Sequence, residues 1–156
     1  APFSIDRPTD VDGNKPLYGL ISVPDTTLVG AQGRGNTANP LDTSETLTNN
    51  SLLSGYLYVE DDTVQTVYVD VGAEVLDVTD TYTVQITASR STTSEDRITA
   101  YLIGGEVKTL DAALIPAGII EFNGVSAQDL INDGIQWYRD VGSSFGYLSG
   151  IRLIKE

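Results

Sequence analysis

Any catalytic chemistry in this chain has to come from carboxylates and hydroxyls, because its 156 residues include neither His nor Cys. Those two residue types supply the commonest general base, the commonest transition-metal ligand and the thiolate nucleophile. A pair of carboxylates can still hydrolyse glycosides, but among 22 acidic residues a chance pair carries little information. We therefore predict that the protein is not an enzyme, and a carboxylate-dependent glycosidase is the least favoured alternative.

The segment Gly142–Gly146 fits the pattern Gly-x-Ser-x-Gly, with Ser144 where serine hydrolases carry their nucleophile. That motif needs a strand-to-helix turn and a His base elsewhere in the chain. The chain has no His, and the flanking residues read as two strands. We interpret the segment as a flexible hairpin loop.

Oxygen ligands with part of the spacing of a calcium loop occur where Asp10, Asp12 and Asn14 alternate around Gly13. Such loops also need a bidentate Glu at the twelfth position and flanking helices, and the sequence has neither. The alternative is an Asx-type turn ahead of a strand. The pair Asp61-Asp62 is a second candidate, interpreted as a hairpin turn. Calcium is the one cofactor that the sequence suggests.

Aromatic residues recur along the expected strands. Exposed rings on a β-sandwich can stack on sugars and are favoured in protein interfaces, whereas core packing and cross-strand pairing are the alternative. Trp137 and Tyr138 are adjacent, so a strand must point one into the core and leave the other accessible. The candidate interface or glycan-binding aromatics are Tyr56, Tyr58, Trp137 and Tyr138.

The elements that would position these groups are short strands from residue 53 onward. The clearest is Tyr82–Ser89, where apolar and polar residues alternate. Its pattern predicts one buried face, with Tyr82, Val84, Ile86 and Ala88, and one solvent-exposed face. Further strands are predicted at Leu53–Glu60, Val64–Val71, Glu74–Val78, Arg97–Ile103, Glu106–Leu110, Ala117–Asn123, Ile135–Val141 and Tyr147–Lys155.

Local turn and cap signals complete the pattern. Gly104-Gly105 is a two-residue loop of the kind that hairpins prefer. Ser126–Asp129 resembles a capping box, and Gly134 is placed to end a helix of about two turns. Eight or so short strands with turns between them indicate a sandwich or a barrel. We predict an all-β fold, an antiparallel, jelly-roll-like β-sandwich with an extended N-terminal arm and one short helix.

Residues 1–52 are richer in polar and turn-forming residues than residues 53–156, which we assign to the sandwich. We interpret the first part as an extended arm with one strand at Leu17–Val23. Residues 30–51 are mostly Gly, Asn, Thr, Ser and Asp. Because ordering backbone costs on the order of 1–2 kcal/mol per residue, we expect this segment to lie on another subunit or partner, with Leu41 and Leu47 as contacts.

The charge of the chain excludes one class of partner. Nine basic residues against 22 acidic ones give a net charge of −13. Nucleic-acid binding needs clustered Lys and Arg, and here they are scattered. No apolar run approaches the roughly 18 residues of a membrane helix, and no signal peptide is visible. The acidity fits a solubilising surface, or one that docks on a basic partner.

In overall organisation the chain resembles tailed-phage virion proteins, such as head decoration or fibre proteins. The polar stretch Gly30–Asn50 precedes a Thr-, Val- and Gly-rich β domain without Cys or His. The resemblance implies a β-rich homo-oligomer, often a trimer, at the particle surface, bound to a major capsid protein or another virion protein. The alternative is a carbohydrate-binding β-sandwich of a fibre or surface adhesin. The resemblance identifies no site residue.

Overall fold

The computed structural model describes residues 2–3, 20–22, 30–32, 56–60, 64–70, 79–90, 97–113 and 118–156. Within these ranges the fold is all-β with one short helix, α1 (Ala127–Asn132), which is too short to cross a membrane. The strands are β1 (Pro2–Phe3), β2 (Leu20–Ser22), β3 (Gly30–Gln32), β4 (Tyr56–Glu60), β5 (Gln65–Asp70), β6 (Thr81–Thr87), β7 (Ile98–Ile103), β8 (Glu106–Asp111), β9 (Ile119–Ser126), β10 (Ile135–Arg139), β11 (Phe145–Leu148) and β12 (Gly150–Lys155).

The described strands form three antiparallel sheets. A six-stranded sheet has the order β1-β2-β5-β10-β7-β8, and two three-stranded sheets have the orders β11-β4-β3 and β12-β6-β9. This arrangement is consistent with the predicted antiparallel sandwich, while the jelly-roll connection stays a prediction.

One hydrophobic core joins the sheets. The six-stranded sheet contributes Tyr101 and Trp137, β6 contributes Val84 and Ile86, and all four side chains are fully buried. Leu130 of α1 packs into the same core. The apolar face predicted for β6 is therefore confirmed.

The opposite face of β6 corrects our prediction that it is exposed to solvent. Gln85, Thr87 and Ser89 are all buried, whereas Thr83 is partly exposed and Thr81, the first residue of the strand, is exposed. The reason is that β6 is the central strand of its sheet, and its neighbour β12 places the buried Arg152 beside Gln85. Alternation along one strand indicates the two faces but not what covers each of them.

The local turn and cap predictions are confirmed. Gly104 and Gly105 form the loop of the β7–β8 hairpin, both with positive φ, at 56° and 85°. Such values suit a primed turn, which only Gly adopts readily. Ser126 caps α1 by accepting a hydrogen bond from the Asp129 N–H at 3.1 Å. Gly134, at φ 69°, ends the helix and donates its N–H to the Asp129 carbonyl.

The segment Gly142–Gly146 is not the hairpin loop that we predicted. It joins β10 of the six-stranded sheet to β11, which pairs with β4 in another sheet. A Cβ on Gly146 would lie 2.7 Å from the backbone nitrogen of Arg139. A side chain at position 146 therefore has no room where the chain passes from the first sheet to the second. The single predicted strand Tyr147–Lys155 is likewise divided at Ser149 into β11 and β12.

The arm contributes more strand than predicted. β2 lies within the predicted strand at Leu17–Val23 and pairs with β5. β3 lies at the start of the segment for which we predicted no strand, and it pairs with β4. Backbone pairing with an existing strand does not depend on an alternating apolar pattern, so β3 has no local signal in the sequence.

Candidate interaction surfaces

The six-stranded sheet has one core face and one face turned to the outside. Cross-strand register places Val107, Leu102 and Gln136 in one row, and Thr109, Ala100 and Tyr138 in the next. Their in-line neighbours Lys108, Tyr101 and Trp137 point to the core side, because side chains alternate along a strand. We call the outward surface the outer face; it is formed by Ile98, Leu102, Val107, Thr109, Gln136 and Tyr138.

The outer face is partly exposed and almost free of charge. Val107 is 51% exposed, Thr109 is exposed, and Ile98, Leu102 and Tyr138 are partly exposed. Two carboxylates border the face beside Ile98: Asp111 accepts hydrogen bonds from the backbone N–H groups of Arg97 and Ala113 at the end of β8. Asp140, two residues after Tyr138, donates its backbone N–H to the Ile98 carbonyl at 3.0 Å. A neutral sheet surface with a tyrosine is unusual on a chain of net charge −13 and has the composition of an interface centre.

An open acidic cleft lies at one end of the outer face. Its volume is about 430 Å³, and Leu102 and Gln136 of the outer face line it together with the Gly104–Gly105 loop. Asp129 and Asp133 supply the carboxylates. The cleft therefore marks where the neutral surface ends and the acidic surface of the protein begins.

A second candidate surface is an aromatic cluster on β4 and β11. Tyr56 packs edge-on against Tyr147, with ring centroids 4.9 Å apart, and Tyr58 packs edge-on against Phe145 at 6.0 Å. The four rings meet because Tyr147 pairs directly with Tyr58 in the antiparallel register. Tyr58 and Phe145 are partly exposed, whereas Tyr56 and Tyr147 are buried.

Two guanidinium groups border the aromatic cluster. That of Arg90 lies 5.6 Å from the ring centroid of Tyr56, and that of Arg97 lies 5.2 Å from the centroid of Phe145. Such distances are within the range of cation–π attraction. Burial raises the pKa of the Tyr147 hydroxyl above its ordinary value, although both arginines act in the opposite direction. Arg97 is buried, so the groups that could contact a sugar are the partly exposed Arg90 and the partly exposed rings of Tyr58 and Phe145.

The structure separates the four aromatics that we predicted as surface groups. Trp137 is fully buried and Tyr56 is 6% exposed, so these two assignments to an interface or glycan site are wrong. Tyr58 and Tyr138 reach the surface, on the aromatic cluster and the outer face respectively. The prediction that one of the adjacent Trp137 and Tyr138 is in the core and the other accessible is confirmed: Trp137 is the buried one and Tyr138 the partly exposed one. The Trp137 Nε1 has no hydrogen-bond partner among the described residues.

Several predicted residues lie outside the described ranges. They are the calcium candidates Asp10, Asp12 and Asn14, the turn Asp61-Asp62, and the arm contacts Leu41 and Leu47. Among the residues that the structure does describe, no group of three or more acidic side chains could hold a metal ion. Ser144 is exposed, and its neighbour Ser143 is buried and accepts a hydrogen bond from the Ile98 N–H at 2.9 Å.

Sequence reasoning missed three members of these surfaces. Phe145 was assigned to a loop, Arg90 to the polar segment Arg90–Asp96, and Arg97 to the start of a strand, with no role at a surface for any of them. Only the pairing of β11 with β4 brings Phe145 beside Tyr58. No protein-family model, curated protein or solved structure matches the chain.

Proposed function

We propose that the chain is a non-enzymatic structural protein of a virus particle, a phage capsid decoration or minor structural protein. It self-associates and binds a preassembled lattice of a major capsid protein or another virion protein. The observation that carries the proposal is the outer face, a neutral β-surface on a strongly acidic chain. Interface centres are depleted of charged residues, and the two rows Val107–Leu102–Gln136 and Thr109–Ala100–Tyr138 contain none.

The position of the arm strands adds support. β1 and β3 are each the last strand at one end of a sheet. Sheet edges are where a strand from another chain can be added, with backbone hydrogen bonds as the main attraction. The proposal assigns the attachment role to the arm and the outward-facing role to the acidic sandwich.

Particle binding tests the proposal directly. Particles concentrated from the source of the sequence are labelled with an antibody against the chain and imaged by electron microscopy. The proposal expects regular labelling of intact particles and co-sedimentation of the purified protein with particles stripped of it. Protein found only in the supernatant, with unlabelled particles, would overturn it.

A second candidate function is carbohydrate binding, as a module of a fibre or surface adhesin. The aromatic cluster favours it, because the packed rings of Tyr58 and Phe145 are both partly exposed. A glycan array tests this candidate. We expect any glycan bound by the wild type to be lost in Tyr58→Ala and kept in Val64→Ala, a change at an exposed position before β5. An array without a bound glycan rejects it.

A further inference from the structure

We infer that Lys108 closes the β8 end of the six-stranded sheet against the addition of a further strand. β8 is the last described strand at that end, and β9 is the last described strand at one end of the sheet β12-β6-β9. Open strand edges can pair with strands of other chains, and a charged side chain that points inward from the edge prevents this. This role belongs to the fold itself and does not depend on whether the chain is part of a virus particle.

The register of the β7–β8 hairpin determines which backbone groups of β8 face the open edge. The two residues that flank the Gly104–Gly105 loop are directly opposite each other, so they form a hydrogen-bonded pair, and such pairs alternate along the two strands. The Ala112 N–H donates to the Arg97 carbonyl at 2.9 Å, in phase with this alternation. The backbone N–H and C=O groups of Val107 and Thr109 therefore point away from β7, toward the open edge.

The outer side of β8 presents side chains that suit strand pairing. Val107 and Thr109 are exposed, uncharged and β-branched, and β-branched residues are favoured in strands. The six residues of β8 include neither Gly nor Pro, the two residue types that weaken a strand or remove a donor from it. The outer side of β8 therefore offers no obstacle of its own to an added strand.

The obstacle lies on the core side, where Lys108 connects β8 to β9. Its Nζ lies 5.4 Å from the ring centroid of Phe122 and donates a hydrogen bond to the backbone carbonyl of Glu121. The same Nζ lies 3.4 Å from Oε1 of Glu106, which is exposed, while Lys108 is partly exposed. One lysine thus ties the last described strand of one sheet to the last described strand of another.

The position of this ammonium group explains why it would oppose a further strand. A strand beside β8 would continue the sheet and cover the side chains of Lys108 and Glu106, which now reach water. Removing charged groups from water costs free energy, and their mutual attraction offsets this cost only in part. The edge is therefore closed by charge, although its backbone groups and outer side chains are suited to pairing.

Sedimentation equilibrium of Lys108→Met tests the closed edge. Met keeps an unbranched side chain over Phe122 but removes the ammonium group. In about 0.5 M salt, which screens the repulsion between acidic chains, the variant should associate about tenfold or more strongly than the wild type. The change makes the net charge more negative than −13, so weaker repulsion cannot explain a gain. Lys108→Arg, the matched control, keeps the charge and should behave as the wild type does.

A proline in the same strand tests the route of association. Thr109→Pro removes an N–H that points to the open edge and leaves the bonds to β7 in place. Combined with Lys108→Met it should return the mass to that of the wild type, and alone it should leave the wild-type mass unchanged. Circular dichroism checks that each variant is folded. Val107→Pro replaces a Thr109→Pro variant that does not fold, and Lys108→Gln likewise replaces Lys108→Met.

Three outcomes would overturn the inference. The first is a Lys108→Met variant that associates no more strongly than the wild type. The second is association of Lys108→Met that persists with the proline, because the new contact would then lie away from the edge. The third is a wild type whose mass falls with Thr109→Pro, because its β8 edge would then already be open.

Discussion

Arg152 on β12 donates a hydrogen bond from Nη1 to the Oε1 of Gln85 on β6, over 3.2 Å. Gln85 in turn donates from Nε2 to the Oε1 of Glu121 on β9, also at 3.2 Å. The three residues are directly opposite one another in the strand register. A neutral amide thus connects a buried guanidinium to an exposed carboxylate across the whole width of the sheet.

Removing this amide should destabilise the protein. Gln85→Leu keeps the buried volume similar but takes an acceptor from the Arg152 guanidinium, and a hydrogen bond to a charged group contributes about 1.5–3 kcal/mol. We expect the free energy of unfolding in urea to fall by about that amount. The control is Gln128→Leu at an exposed position on α1, and equal effects of the two changes would contradict the role of Gln85.

The close approach at Gly146 predicts that Gly146→Ala destabilises the protein much more than Gly118→Ala does. Gly146→Ala would place a Cβ 2.7 Å from the Arg139 nitrogen and 2.9 Å from the Tyr138 carbonyl carbon, and both are backbone atoms. We expect a loss of about 1–3 kcal/mol or more of stability. Gly118→Ala meets only the end of the Leu110 side chain, at 3.1 Å. Thermal unfolding should show a much smaller loss for this second variant.

The Glu156 carboxylate predicts a dependence of stability on acid pH. It accepts hydrogen bonds from the Gly124 N–H at 2.8 Å and from the hydroxyls of Thr81 and Thr83. These bonds hold the pKa of Glu156 below its ordinary value of 4.5, and the backbone bond is the largest cause. A lowered folded-state pKa contributes stability above the unfolded-state value, and this contribution is lost as the pH falls through the folded-state pKa.

Glu156→Gln should therefore be less stable than the wild type at neutral pH, and the stabilities of the two proteins should converge as the pH falls below 4.5 and through the lowered pKa of Glu156. Urea midpoints measured between neutral and acid pH check this. A difference that stays constant down to the lowest pH would mean that the carboxylate charge is not what Thr81, Thr83 and Gly124 stabilise.

The buried Tyr101 hydroxyl predicts that the stability of the protein also depends on pH in the alkaline range. It is fully buried and donates to the backbone carbonyl of Tyr147. Burial raises the pKa of Tyr101 well above its ordinary value of 10.0. A raised pKa contributes stability below the unfolded-state value that is lost as the pH rises above it.

Tyr101→Phe tests this relationship. The variant should lose about 1–2 kcal/mol near neutral pH, because the Tyr147 carbonyl loses a buried donor. Above the ordinary tyrosine pKa its stability should fall less steeply than that of the wild type. Parallel alkaline unfolding curves for the two proteins would show that Tyr101 ionises normally.

Local signals in the sequence predicted local structure well. The Gly104–Gly105 loop, the Ser126 cap and the Gly134 helix end each depend on backbone geometry within a few residues. The opposite faces of Trp137 and Tyr138 follow from alternation alone. None of these predictions needed knowledge of which strands are neighbours.

Predictions failed where distant strands decide the outcome. Gln85 is buried because Arg152, 67 residues away in sequence, lies beside it. On β7 both faces carry apolar residues, so alternation could not show that Tyr101 points inward and Leu102 outward. The outer face and the aromatic cluster could not be predicted either, because each is assembled from strands on different parts of the chain.

The strand order has a consequence for the newly synthesised chain. Each of the three sheets includes one strand from the segment between Ile135 and Lys155, namely β10, β11 or β12. β10 joins β5 to β7, and β11 and β12 complete the two smaller sheets. Before this segment is released from the ribosome, the described strands can form only the β7–β8 hairpin, the pairs β3–β4 and β6–β9, and the three-stranded group β1-β2-β5, all with open edges. The three sheets can therefore be completed only after translation has passed Lys155, and until then each group of strands has unpaired edges.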